Sequence, residues 1–262
     1  MSNILKSIRK KILLSVQNAD SGHLGPSFSC VEILFSILKK IKFSSNKRNF
    51  LILSKGHAAP TMYALFDYMG MLKKNELTTL RKFNSRLQGH TDKKKLKFLD
   101  FGTGALGQGL SVSIGYSLAL KLQNIKKYVF CVLGDGELQE GQIWEAAMYI
   151  GSNKLTNIIT IIDGNKFQND GLINDNFKHF NMKKKWDSFG FKFVEVNGHS
   201  CKDLNKQFSI AMNTKNKKPT VIYCNTIKGK GVSFMENNNK YHSIKKLKIE
   251  ELNQAIDELN VK

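Results

Sequence analysis

Residues 134–165 read GDGELQEGQIWEAAMYIGSNKLTNIITIIDGN. An apolar run, YVFCVLG at 128–134, enters this stretch and stops at Gly134-Asp135-Gly136. A second run, NIITIID at 157–163, stops at Gly164-Asn165. Both runs are short, continuous and rich in Val and Ile, the composition of strands buried on both faces. Each ends in a small residue beside an oxygen ligand. A strand–helix–strand unit with polar groups at the carboxyl ends of its strands is how an α/β protein holds a metal ion on a diphosphate.

Working outward, periodicity predicts helices over residues 3–18, 31–40, 58–70, 106–122, 139–150, 202–213 and 247–259. Strands are expected at 50–53, 128–133, 157–163, 191–196 and 220–226, and SGHLGPSFS (21–29) reads as a loop. Strands alternating with helices imply a three-layer, doubly wound α/β fold, a mostly parallel sheet with helices on both faces. There are no repeats, no low-complexity linker and only three prolines, so residues 1–262 are expected to form a single domain.

Bulk properties narrow the function class. The chain has 262 residues, 41% of them hydrophobic, enough for one sizeable core. No apolar run approaches the eighteen or so residues of a membrane span. Lys and Arg interrupt the N-terminal MSNILKSIRKKILLSVQNAD, so it is no signal peptide. Ile4, Leu5, Ile8, Ile12, Leu13 and Val16 instead mark one helical stripe. Cys30, Cys131, Cys201 and Cys224 are scattered without metal-site spacing and read as reduced core residues of a cytoplasmic protein. Net charge is +20, from 41 Lys and Arg against 21 Asp and Glu. The lysines are spread over KSIRKK, TDKKKLK, NMKKKW and TKNKKP, and no nucleic-acid-binding signature accompanies them. A solvated surface is the expectation, with no nucleic-acid and no membrane partner. A field attracting phosphorylated substrates or an acidic partner chain is the alternative.

The opening stretch carries a specific chemistry. Mg²⁺ takes one or two carboxylates and fills its octahedron with phosphate oxygens and water. Asp135 supplies a carboxylate, Asn165 a neutral oxygen, and the Phe167 carbonyl completes the protein ligands; Ca²⁺ or Mn²⁺ could stand in. Gly134 and Gly136 permit a tight turn and close backbone approach. A helix starting near Gln139 is expected to aim its N-terminal amides at the diphosphate.

Strand, GDG, helix, strand and Asp-x-Asn in this order form the pattern of thiamine-diphosphate enzymes. From about residue 5 to 255 the chain resembles transketolase, specifically its N-terminal, diphosphate-binding part. The matching segments are NADSGHLGPSFSCVEIL, FLILSKGHAAPTMYALF, LQGHTD, GTGALGQGLSVSIGYSLA, GDGELQEGQIWEAAM, DGNKFQNDG and NTIKGKGVSFMENNNKYH. They occur in transketolase order and spacing, closest to the form split into two polypeptides. The resemblance implies that Asp135, Asn165 and the Phe167 carbonyl bind Mg²⁺. It implies diphosphate contacts at Gly134, Gly136, Glu137 and His57, and places Gly104 and Leu106 along the cofactor rings. Glu140 would couple to a partner's catalytic glutamate. His23, His57, His90 and His242 would surround the reacting carbons.

Independently of the resemblance, His23, His57 and His90 each follow Gly, in SGH, KGH and QGH, so they sit in loops able to converge on a cleft. Imidazole exchanges protons near neutral pH, which sugar hydroxyls and a developing alkoxide require. The chain departs from the family at Thr91, where proline is common, and in YHSIKK, where an aromatic-His-Gly arrangement is usual. Gly164, Ala105 and Asn49 depart as well. His179 and His199 are read as structural or surface residues.

The family needs a glutamate from a pyrimidine-binding domain, and no second α/β domain follows residue 262. The expectation is a separate C-terminal subunit, an α₂β₂ heterotetramer, and active sites between the chains. The implied reaction is the transketolase reaction of pentose phosphate metabolism, in which a two-carbon ketol group passes from a ketose phosphate to an aldose through a covalent thiamine-diphosphate intermediate. Three alternatives stand beside it. They are a specialised ketol transferase making an unusual sugar, the α-subunit of a 2-oxo-acid dehydrogenase, and a basic scaffold on a thiamine-enzyme fold.

Overall fold

The computed structural model describes residues 2–43, 45, 48–176, 181–213 and 215–260; His179 lies outside them. Chain order is α1 (Ser2–Ala19), α2 (Leu24–Ser29), α3 (Val31–Leu38), β1 (Phe50–Leu53), α4 (Ala59–Tyr68), α5 (Gln108–Leu122), β2 (Val129–Gly134), α6 (Gly141–Ser152), β3 (Ile158–Gly164), β4 (Phe167–Gln168), β5 (Gly171–Leu172), α7 (Ile173–Asn176), α8 (Met182–Ser188), β6 (Lys192–Asn197), α9 (Cys201–Ala211), β7 (Thr220–Asn225) and α10 (Ile249–Leu259). Five strands form one parallel sheet in the order β1-β2-β3-β7-β6. The expected fold class is observed.

The alternation of strand side chains explains the three layers. Phe130, Val132, Ile159 and Ile161 pack into one core with α1, α3, α4 and α9. Val129, Cys131, Leu133, Ile158 and Ile162 point the other way, into a second core with α5, α6 and the buried Trp186 of α8. All four cysteines are free and buried. Among the described residues no helix is long and apolar enough to cross a membrane.

The fold differs from expectation in three places that matter to the site. The segment read as a loop contains α2, wholly buried, with Pro26 in its first turn where no N–H is needed. A 3-10 turn, Gly136–Gln139, intervenes before α6, which starts at Gly141 and not near Gln139. The amide nearest Asp135 is therefore that of Gly136, not one from α6. Finally, Phe167 lies on a two-residue hairpin, β4–β5, whose register sets Phe167 opposite Leu172.

Candidate active site

Four connections leave the carboxyl edge of the sheet side by side: after β1 at Ser54 and Lys55, after β2 at Asp135, after β3 at Asn165 and after β7 at Thr226. Asp135 is 2% exposed, and its Oδ1 and Oδ2 accept the N–H groups of Gly136 (2.9 Å) and Lys166 (2.5 Å). Asn165 Oδ1 accepts from Phe167 N at 3.0 Å. A Cβ on Gly136 would lie 3.6 Å from the Phe167 carbonyl oxygen, so the backbone there passes close to the third expected ligand. Burial and the neighbouring Asp163 carboxylate push Asp135 up to about 7, against the pull of the two amides and Lys55. A dication beside it would favour the charged form, and one carboxylate with two neutral oxygens is a donor set that suits Mg²⁺.

Beneath this turn lies a hub that the sequence reading missed. Asp163, fully buried, accepts from Ser29 Oγ (2.6 Å), Cys30 Sγ (3.0 Å), Lys55 Nζ and Thr226 Oγ1. Burial pushes the Asp163 carboxyl up, but the Lys55 ammonium and these donors outweigh it and hold it low. Asn165 Nδ2 contacts the same hub through Ser29 Oγ at 3.3 Å. Glu137 does similar work at the side. Its oxygens accept from Ser54 Oγ (2.5 Å), Gly107 N (2.8 Å) and Gly134 N (3.0 Å), tying the residue 104–107 loop to the GDG turn. Gly107, at φ 80°, needs to be glycine, because a Cβ would meet Gln142 and Glu140 at 2.9 Å.

Above the turn, the four expected histidines converge. The ring of His57 is 4.4 Å from His23, 5.1 Å from His242 and 5.8 Å from His90, centroid to centroid. His23 Nδ1 lies 3.1 Å from the His242 carbonyl, which only accepts, so Nδ1 carries the hydrogen and Nε2 is left as an acceptor. His242 Nδ1 lies 2.8 Å from Lys228 Nζ. When that amine is charged it only donates, which leaves the hydrogen of His242 on Nε2, a buried atom with no partner. Burial is the main cause that lowers His23 to about 4, His57 to about 3 and His242 to about 2; nearby cations and histidines add to it. His90 is lowered by burial and then by Arg81. At neutral pH the cluster therefore works with uncharged imidazoles.

Lys228 is fully buried, lies 5.1 Å above the Phe167 ring and donates to Asn239. Among the described residues it has no carboxylate partner, and burial, then Lys55, lowers it to about 7. A buried amine without a counter-ion and a buried imidazole nitrogen without an acceptor meet at one cavity of about 220 Å³, also lined by Gly134, Asp135, Asn165 and Leu106. That pairing fits an anionic diphosphate.

The family description "Transketolase, thiamine diphosphate binding domain" matches residues 1–261. The chain belongs to the transketolase family. One of the two chains of an apulose-4-phosphate transketolase from Actinobacillus succinogenes is 36% identical over 261 residues, covering 97% of this chain and 94% of that protein. A 6-deoxy-6-sulfo-D-fructose transketolase subunit of Clostridium sp. (strain MSTE9) is 34% identical, covering 91% and 88%. The crystal structure of transketolase from Campylobacter jejuni superposes with a TM-score of 0.89 at 29% identity. There the match covers 99% of this chain but only 43% of the other, so this chain spans less than half of that transketolase.

Within the transketolase frame, Gly104 (φ 145°) is exposed and Leu106 half-buried, at the edge of the cavity. Glu140 is exposed at the start of α6. His199 is structural, as read: its Nδ1 meets Glu32 at 3.0 Å and its Nε2 accepts from Ile227 N at 2.9 Å. The missed residues, Lys55, Asp163 and Lys228, lie inside the matched segments SKGH, DGN and IKGKG. A charged residue next to a glycine in a buried-looking motif was the available signal.

Proposed function

We propose that this chain is the N-terminal subunit of a ketol transferase, which binds thiamine diphosphate through Mg²⁺ (or Ca²⁺ or Mn²⁺) and acts with a C-terminal partner subunit. The observation that carries the reading is the convergence of His23, His57, His90 and His242 over the Asp135–Asn165 turn. Asp135, Asn165 and the Phe167 carbonyl hold the metal. The backbone of Gly134 and Gly136, with Glu137 fixing the turn, receives the diphosphate, and Lys228, His57 and His242 neutralise it. Gly104 and Leu106 line the rings. When bound, the cofactor supplies the nucleophilic carbon and the electron sink for breaking a carbon–carbon bond.

The chain's own residues manage protons and orientation. His23 offers an acceptor at Nε2 and His242 a donor at Nε2, so hydroxyls of a ketose can be held in one sense. Uncharged imidazoles suit proton transfer to and from sugar oxygens at neutral pH. The reacting sugars are phosphorylated ketoses and aldoses, either those of the pentose phosphate route or, as the names of the two relatives favour, a more specialised sugar. Glu140 stands beside α6, whose Met148 (57% exposed) and Tyr149 (43%) offer apolar surface to a partner chain, in an α₂β₂ assembly. Free buried cysteines suit the reducing cytoplasm.

The test is co-expression with a C-terminal transketolase subunit, followed by assay of two-carbon transfer from a ketose phosphate and of cofactor binding. The complex should transfer the unit and the single chain should not. Asp135→Ala should weaken metal-dependent cofactor binding by about 100-fold or more, since even outer-shell partners of metal ligands are worth 10–100-fold. Activity of the chain alone at the rate of the complex would overturn the partner, and undiminished binding in Asp135→Ala would overturn the metal assignment.

A further inference from the structure

A second cleft opens on the other side of His90. It encloses about 610 Å³ between Arg81, the Gln88–Asp92 run and Gly102-Thr103. It adjoins the histidine cluster directly, because a Cβ on Gly56, the neighbour of His57, would meet both His90 Cδ2 (2.6 Å) and Thr103 Oγ1 (3.1 Å). Arg81 is placed in this cleft with some effort. Its backbone is left-handed (φ 59°), a conformation that costs a residue with a Cβ, and its N–H is held by the Leu87 carbonyl at 2.8 Å. The guanidinium is pinned on two sides: Nη1 donates to Ser21 Oγ at 2.8 Å, and a Cβ on Gly89 would come within 2.6 Å of Nη2. Ser21 stands two positions before His23 and Gly89 one before His90, so the cation sits on the rim between those two histidines. Its charge is one of the reasons that both resist protonation.

Among the described residues Arg81 forms no ion pair, and Nη1 to Ser21 is its one side-chain hydrogen bond. The acidic residue of the cleft, Asp92, accepts from Lys94 N at 2.7 Å. Nε and Nη2 are left as two donors in the planar fork that matches a tetrahedral oxyanion.

We propose that Arg81 binds the anionic end, phosphate or sulfonate, of the sugar whose reacting carbons lie among the histidines. The inference rests on the proposed ketol transfer and adds a specificity residue on this chain. Sugars with a charged terminus are held by Arg81, and short uncharged aldehydes do not reach it.

The complex with the C-terminal subunit is assayed with a phosphorylated aldose and with glycolaldehyde as acceptors. Arg81→Met should raise KM for the phosphorylated acceptor about tenfold or more, the loss of one charge-assisted hydrogen-bonding group, with kcat within about twofold. Glycolaldehyde kinetics should not move, and Arg81→Lys should recover part of the loss. Equal shifts for both acceptors, or none, overturn the proposal. Inorganic phosphate competing as tightly as the phosphorylated aldose would assign the cleft to the free ion and overturn the sugar reading. If the wild-type complex transfers nothing even to glycolaldehyde, the ketol-transfer reading falls by itself. Arg81 is then read by NMR of arginine Nε–H groups during titration of the chain with a phosphorylated aldose. A saturable shift absent in Arg81→Met supports the subsite, and no shift overturns it.

Discussion

The floor and the rim of this site hold their charges in opposite ways. On the floor, Lys55 is buried against Asp163, and although burial alone would lower its pKa, the carboxylate raises it well above the ordinary lysine value. On the rim, Lys228 is equally buried but faces an imidazole and an amide, and it is lowered to about 7. The floor is a closed account of charge that joins α2, β1, β3 and β7. The rim is left open toward the cavity, as a surface for an anionic ligand must be. The difference teaches that structural and ligand-directed cations are told apart by what satisfies them and not by how deeply they lie.

The largest effect that could break this comparison is on stability. Asp163→Ala strands the Lys55 ammonium and four other donors, and breaking a buried pair in this way costs about 3–5 kcal/mol. In a chain of this size that is a fall in Tm of about 10 °C by calorimetry. Lys228→Met removes no ion pair and should change stability by no more than about 1 kcal/mol while weakening diphosphate binding. Equal destabilisation by the two substitutions would erase the distinction between floor and rim.

Both regions were legible in the sequence to different depths, for a physical reason. The Asp135–Asn165 turn is built by two adjacent strands and the turns that follow them, so its parts are neighbours in the chain and its register follows from β2–β3 pairing. The histidines come from four loops as far as 219 positions apart, between His23 and His242, and only the Gly-His repetition and the family pattern hinted that they meet. α2 was read as a loop because Gly25 and Pro26 look like breakers, yet burial of all six residues and the harmless place of proline in a first turn override that. α8 was not anticipated, since MKKKWDS shows one apolar anchor, Trp186, and a cap at Asn181. Hydrogen bonds between remote side chains, such as those converging on Asp163, leave no periodicity at all.

A smaller effect sharpens the rim. An unfolded histidine titrates near 6.5, whereas burial holds His23 at about 4, His57 at about 3 and His242 at about 2. Below pH 6.5 the unfolded chain takes up protons that the folded chain refuses. Their contribution is therefore complete above pH 6.5 and becomes a growing penalty as pH falls toward about 4. Asp135, raised to about 7, slopes the other way over the same range, because the folded carboxyl keeps a proton that the unfolded one releases. The clean reading is a difference. In urea titrations from pH 7 to 4.5, His57→Gln should gain stability relative to wild type as the pH falls. A constant offset would mean that the His57 ring is not shielded.

The smallest effect concerns Thr91, where the family favours proline. The structure gives the threonine a use: it is 2% exposed, its N–H and hydroxyl both reach Thr103 Oγ1 (3.0 and 3.2 Å), and its carbonyl accepts Thr103 N at 2.8 Å. Thr91→Pro deletes the two donors and keeps the carbonyl. It should cost about 1 kcal/mol, seen as a Tm lower by about 2–4 °C. Activity should stay within about twofold, the range of a change that leaves transition-state contacts intact. The reason is that His90 is seated by contact with Gly56, not by the residue that follows it. A loss of kcat/KM far larger than the loss of stability would show that the threonine pair, and not the Gly56 contact, positions His90. The rim would then depend on side-chain hydrogen bonds much as the floor does.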